Sequence, residues 1–181
     1  MKYNKKIIVK NGTEVTLRNG EPTDGKALLE IFRLTHEETD YLLSYPEESF
    51  ATEEKESLYL ARKADSPREV ELFASVNGRI VGIAGVDAVG EKAKVRHRAE
   101  FGISVIREYW GLGIGRALAE ACIECARSAG FLQLELIVVA DNARALALYR
   151  SLGYVEYGRN PKGFRSRTSG FQEVVLMRLE L

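Results

Sequence analysis

Apolar positions change their spacing several times along the chain, and each change predicts an element. In "KIIVKNGTEVTLRN" two β-rich runs flank Asn11-Gly12, a pair that tolerates positive φ, so residues of about 6–18 read as a hairpin. Apolar residues then recur at helical intervals through "KALLEIFRLTHEE", with Thr23 or Asp24 placed to cap that helix. A second helix fits residues 53–63, and "SPRE" breaks the chain after it. From Val70 the pattern becomes that of short strands. "VELFASV" and "RIVGIAGVDAV" are joined by Asn77-Gly78, a second hairpin signal. In "RHRAEFGISVI" the residues His97, Ala99, Phe101, Ile103 and Val105 share one face, and Arg98, Glu100, Gly102 and Ser104 share the other. Helical periodicity returns over residues 115–129. "LQLELIVV" is nearly continuous, as in a strand buried on both faces. Asp141 or Asn142 can cap a short helix to Leu152, which Gly153 ends. "YVEYG" and "FQEVVLMRLEL" supply two more strands, with "RNPKGFRSRTSG" as a basic loop between them.

The order is a hairpin, two helices, three strands, a helix, a strand, a helix and two strands. One strand–helix–strand unit therefore sits inside a largely antiparallel central sheet flanked by helices, a mixed α/β layer fold. No repeat or linker divides the chain, so residues 1–181 are expected to form a single domain. The 26 basic and 26 acidic residues balance, which gives a nucleic-acid partner no support. No apolar run is long enough to span a bilayer, and the apolar segment of "MKYNKKIIVKNG" is too short for a signal peptide. A cytoplasmic location without a membrane partner is the expectation. Acidic residues gather between Glu37 and Glu56, as a solvated face or as a wall that steers a cation.

Two stretches bear on chemistry. Cys122 and Cys125 have redox or metal spacing, but both fall on the apolar stripe of the 115–129 helix and read as buried small hydrophobes; no metal is expected. Just ahead of that helix, "WGLGIG" places Gly111, Gly113 and Gly115 at a helix start. Such a turn is either a plain strand-to-helix connection or an anion site built from bare N–H groups and the positive helix end. A P-loop would need Lys and a hydroxyl where Arg116 and Ala117 stand. A dinucleotide fingerprint lacks its third glycine, although Glu135 lies near the distance of the ribose acid; that reading remains an alternative. Downstream, Asn142, Ala145 and Tyr149 are spaced to share one helix face.

Taken together, "WGLGIG" (Trp110 to Gly115) and "NARALALYRSLGY" (Asn142 to Tyr154) resemble the paired motifs of the GCN5-related N-acetyltransferase (GNAT) family. Trp110 departs from the Arg or Gln that opens the first motif; the second is matched throughout. The resemblance implies acetyl-coenzyme A bound where two central strands splay apart. It implies a diphosphate held by the backbone of Gly111, Leu112, Gly113, Ile114, Gly115 and Arg116, and a pantetheine arm along Ser104, Val105 and Ile106. By the same resemblance the Val105 N–H polarises the thioester carbonyl, Asn142 bonds the pantetheine, Ala145 leaves it room, and Tyr149 protonates the leaving thiolate. The implied reaction is direct attack by a neutral primary amine, small-molecule or peptide, in a ternary complex. For the general base Glu100 is the first choice, against a surface Glu paired with Arg98. Members that acetylate protein N-termini often carry Glu where Ile137 stands here, with Glu135 two residues earlier on the same face, which argues against that branch. Tyr41 and Tyr45 either line an acceptor pocket or pack. Dimers are frequent in the family, so a homodimer is also in view. A non-catalytic acyl-coenzyme A sensor would share the glycines and Asn142 without needing Tyr149.

Overall fold

The computed structural model describes residues 2–181. Eight strands form one sheet: β1 (Asn4–Ile8), β2 (Glu14–Asn19), β3 (Val70–Val76), β4 (Arg79–Ala88), β5 (Arg98–Val105), β6 (Gln133–Val139), β7 (Val155–Ser166) and β8 (Gly170–Glu180). Their order is β1-β2-β3-β4-β5-β6-β8-β7. Neighbours are antiparallel except β5 and β6, the pair joined by the strand–helix–strand unit. Helices α1 (Gly25–Glu38) and α2 (Glu53–Asp65) cover one face. Helices α3 (Ile114–Ser128) and α4 (Ala143–Ser151) cover the other. Side chains fix these sides. Tyr59 and Lys63 of α2 reach Glu71 and Asp87, whereas Leu118 of α3 packs over Gly82, where an added Cβ would stand 3.1 Å from its Cδ1. Leu60, Leu72, Leu118 and Leu134 are fully buried, each removing an apolar side chain from water at a gain of about 1.5–3 kcal/mol.

Local signals hold where short-range chemistry decides. Asn77 (φ 48°) and Gly78 (φ 82°) turn β3 into β4 as a two-residue hairpin. Asn142 caps α4 by accepting the Ala145 N–H (3.2 Å). Elsewhere the structure corrects the reading. Asn11-Gly12 is not a two-residue turn: Val9 N–H bonds Thr13 O (3.0 Å) and Gly12 N–H bonds Val9 O (2.8 Å), so the connection is longer. Asp24 sits at the start of α1, but its carboxylate turns back to the Arg18 guanidinium and the Glu21 N–H and does not cap the helix. "RNPKGFRS" is not a loop, although the turn begins at Arg167 just after it. This segment is the second half of β7, with its irregular register between Asn160 and Phe164. Pro161 is tolerated because β7 is an edge strand, where a missing N–H donor breaks no ladder.

One buried acid is prominent beneath α2. Glu71 is 7% exposed and accepts the Tyr59 hydroxyl (2.8 Å). Gly85 makes room for it, since a Cβ there would fall 2.5 Å from its Oε2. Burial, opposed by the Tyr59 bond and by Lys63, pushes its carboxyl up to about 7. The unfolded group titrates near the ordinary 4.5. The folded state therefore binds the extra proton, and its stability is full below about pH 4.5 and lost as pH rises through about 7. Glu71→Gln keeps an acceptor for Tyr59 and removes the charge. It should exceed the parent in stability by about 1–3 kcal/mol at pH 8 and match it at pH 4.5. Urea titrations at the two pH values check this, and an equal gap at both would contradict it.

Candidate active site

The site begins with a ladder that stops. β5 pairs with β6 only at Arg98↔Gln133, Ala99↔Leu134 and Glu100↔Glu135. Beyond that each strand follows its outer neighbour: β5 stays with β4 to Gly82↔Val105, and β6 stays with β8 to Val139↔Val174. The direction of the freed groups can be read from the bonds around them. Val89 N–H donates to Arg98 O (3.1 Å) and Ile106 N–H to Val81 O (3.0 Å), so even-numbered residues of β5 turn their backbone to β4. His97 O accepts from Leu132 (2.9 Å) and Gln133 (3.2 Å), so odd-numbered residues face β6. Past the break, the N–H groups of Ile103 and Val105 face the gap. A cleft of about 1070 Å³ runs through it, lined from both faces of the sheet.

At one end of the cleft stands the glycine turn. Gly111 (φ 80°) and Gly113 (φ 103°) both adopt the left-handed region, and Gly113 opens α3. Ala117 N–H, bonded to Gly113 O (3.1 Å), is the first donor used inside the helix. Among the described residues, the N–H groups of residues 111–116 have no partner. Converging N–H groups at the positive helix end can hold a phosphate or diphosphate. The turn is fastened from three sides. Lys10 N–H donates to Leu112 O (3.2 Å), the Trp110 indole N–H donates to Val105 O (2.5 Å), and the Arg144 guanidinium lies 4.6 Å from the Trp110 ring centroid. Trp110, the departure from the family motif, thus ties the end of β5 to the turn. Lys10, Arg116 and Arg144 line the cleft, and each stands beside the turn.

Helix α4 supplies the other wall of the cleft. Ala145 and Tyr149 line it one turn apart, with Asn142 at the cap. Tyr149 is 8% exposed, and burial pushes its phenol up to about 12, so it stays protonated near neutral pH. Phe101 meets its ring edge-on at 6.2 Å. Tyr154 packs on it at 5.7 Å, with a buried hydroxyl that has no partner among the described residues.

On the α1/α2 face the cleft is lined by Glu100, Glu135, Ile137, Tyr41, Tyr157 and Phe164, among others. Arg98 does not pair with Glu100. Its Nη2 donates to Glu135 Oε2 (2.7 Å) and its Nε to Glu135 Oε1. Glu100 has no ion-pair partner among the described residues. The acidic stretch 37–56 divides: Glu53 and Glu54 are exposed at the start of α2, whereas residues nearer the cleft are tied down. Glu38 accepts the Arg107 N–H (2.6 Å), Glu47 pairs with Arg167, and Asp40 accepts Ser166 Oγ (2.5 Å) and, at its carbonyl, Gln172 Nε2 (3.2 Å). Tyr41 lines the cleft; Tyr45 instead accepts the Arg167 N–H (2.8 Å) and holds the wall to the β7–β8 turn.

Of the sequence-derived site residues, Gly111, Gly113, Gly115, Arg116, Asn142, Ala145, Tyr149, Glu100, Ser104 and Val105 line one cleft. Leu112 and Ile114 do not line the cleft, and the Ile114 side chain is buried in the core. Ile106 falls away: it is 1% exposed and its N–H is bonded to Val81 O (3.0 Å). Ser104 offers its side chain alone, because its backbone faces β4. Lys10, Arg144 and Phe164 were not legible, since each reaches the cleft through a distant pairing. Cys122 and Cys125 pack inside α3, and burial raises both thiols, Cys125 to about 11. No helix is long and apolar enough to cross a membrane among the described residues.

Comparison with known proteins agrees with this geometry. Residues 28–154 match the model of the family described as "Acetyltransferase (GNAT) family". The chain is 29% identical over 154 residues to the L-amino acid N-acetyltransferase AaaT of Escherichia coli (strain K12), covering 83% of this chain and 88% of that one. It is 28% identical over 166 residues to the ribosomal protein bS18-alanine N-acetyltransferase of the same organism, covering 92% and 97%. A solved acetyltransferase of GNAT family from Streptococcus pneumoniae superposes with a TM-score of 0.88 at 30% identity, over 92% of this chain and 99% of that one. Fold and site together define an acyltransferase. The chain belongs to the GNAT acetyltransferase family. The dinucleotide alternative lapses, since Glu135 is bound to Arg98 on the face away from the glycine turn.

The turn predicts a contrast between two glycines. Gly113 holds φ 103°, so Gly113→Ala should cost about 1–2 kcal/mol even though a Cβ meets nothing within 4 Å. Gly115 lies inside α3, and a Cβ there would make ordinary contacts at 3.8–3.9 Å. Gly115→Ala should be neutral or stabilising by up to about 1 kcal/mol. Denaturant titration of the two variants tests this; equal losses would contradict the assigned backbone.

Proposed function

We propose that this acyltransferase moves the acetyl group of acetyl-coenzyme A to a primary amine, with donor and acceptor bound together in the cleft. The observation that carries the reading is the polarity of that cleft. An end rich in N–H groups and cations joins an end with carboxylates, through the opening between β5 and β6. The residues fit the donor. Gly111 and Gly113 have nothing within 4 Å where a Cβ would stand, so a diphosphate can approach the N–H groups of residues 111–116. The edge of β5 suits an amide-bearing arm. Asn142 uses its carbonyl oxygen as a cap and keeps its amide N–H groups for that arm, while Ala145 leaves room.

Bound acetyl-coenzyme A supplies an acyl group activated as a thioester. In this reading the Val105 N–H is the donor for the carbonyl oxygen, where negative charge develops. Tyr149 holds its proton at neutral pH and gives it to the departing sulfur. Glu100 takes a proton from the arriving ammonium, directly or through water, and its lack of an ion pair leaves it available. Ser104 lines the same wall. The two curated relatives carry different acceptors in their names, so the donor half is what they share.

Tyr149→Phe keeps the ring and its packing and removes only the hydroxyl. Turnover with a good amine should fall by about two orders of magnitude, while the Kd for acetyl-coenzyme A changes by less than about threefold. Full activity in this variant would remove Tyr149 from the chemistry. Glu100→Gln should likewise lower kcat/KM by about 100-fold with donor affinity intact. Steady-state kinetics and calorimetry on the same preparations check both.

A further inference from the structure

Charge divides the cleft sharply. Its lining cations, Lys10, Arg116 and Arg144, all stand around the glycine turn. At the opposite end Glu100 and Glu135 share a row of the sheet as direct register partners. Among the described residues lining that end there is no lysine or arginine. Two guanidiniums adjoin that end without lining it: Arg98 grips Glu135 through two nitrogens, and Arg178, the register partner of Glu135, lies 3.3 Å from Glu180 and 5.8 Å from the Tyr157 ring centroid. Around the carboxylates the wall is apolar. Ile137 is 59% exposed and Tyr157 46%, and Phe164 of β7 lines the same cleft. Apolar surface left in water at a cleft favours an apolar ligand body.

The acceptor must place its amine near Glu100. An ammonium gains there from the carboxylates. A carboxylate on the same carbon would enter beside the unpaired Glu100 carboxylate with no cation lining that end, and would lose its water without compensation. We propose that the acceptor is a primary amine on an apolar or aromatic body with no carboxylate on the amine-bearing carbon. That is the chemistry of an arylalkylamine or of a polypeptide N-terminus with an apolar first residue, and it excludes free amino acids. The inference rests on the acyltransferase reading of the same cleft and concerns only its acceptor end.

The test compares coenzyme A release with L-phenylalanine, L-phenylalaninamide, phenethylamine and a phenylalanine-initiated tripeptide amide. The three amines lacking an α-carboxylate should exceed phenylalanine in kcat/KM by about tenfold or more. Phenethylamine is the cleanest comparison. It is more basic than phenylalanine and so offers less neutral amine, and its advantage cannot come from basicity. A tripeptide better than phenethylamine identifies the polypeptide source, and the reverse identifies the small amine. Ile137→Arg adds a guanidinium to the acceptor wall and should raise the phenylalanine-to-phenethylamine ratio by about tenfold. Phenylalanine equal to or better than the others overturns the proposal. So does an unchanged ratio in the variant, or failure of all three carboxylate-free amines. Calorimetry with acetyl-coenzyme A on the same protein separates the failures: tight donor binding leaves the donor site standing, and no binding removes the wider reading as well.

Discussion

Backbone N–H groups inside a sheet are paired almost without exception, because an unpaired one away from water is costly. The parallel pairing of β5 with β6 breaks that rule after Glu100↔Glu135, and everything functional here depends on the break. Each strand is held open by its outer neighbour, β4 on one side and β8 on the other. Trp110 fixes the far end of β5 through the Val105 carbonyl, so the gap cannot close by sliding the strand. The N–H groups of Ile103 and Val105 are left facing the gap. Fold and binding site are the same feature seen from two sides.

The gap also joins two faces that carry different chemistry. On the α3/α4 face a helix start, a glycine turn and nearby cations favour an anion. On the α1/α2 face carboxylates and aromatic rims favour a cationic, apolar partner. Tyr149 and Glu100 lie on opposite faces, and the roles proposed for them can meet at one reacting centre only through the opening between β5 and β6. The wall formed by residues 39–50 is itself held by Asp40 and Tyr45 against the β7–β8 turn. Within that acidic stretch Glu38, Asp40, Glu47 and Glu48 act as latches to distant parts of the chain.

Legibility followed the range of the interaction. Asn142, Ala145 and Tyr149 share a face by spacing over about two helix turns, and the motif resemblance, not the spacing, pointed to their place in the site. The Asn77-Gly78 turn is equally local. Asn11-Gly12 carries the same dipeptide and does something else, because the register of β1 on β2 decides the loop length. The second half of β7 looks like a loop until β8 and the sheet edge are known. Glu100 and Glu135 offered Arg98 the same face of the sheet, and the choice of Glu135 follows from side-chain geometry across β5 and β6. The cations Lys10 and Arg144 carry no motif. They reach the cleft through the hairpin's bond to Leu112 and the stacking of Arg144 on Trp110.

Amide hydrogen exchange tests the central claim most directly. Gly102 and Ser104 are paired with β4 and should exchange slowly in the free protein. Ile103 and Val105 sit between them on the same strand and should exchange rapidly, because their N–H groups face the gap. Saturation with acetyl-coenzyme A should slow the odd-numbered pair by about tenfold or more and leave the even-numbered pair unchanged. Slow exchange at Ile103 and Val105 in the free protein, or no change on saturation, would contradict the account of an open ladder that the donor closes.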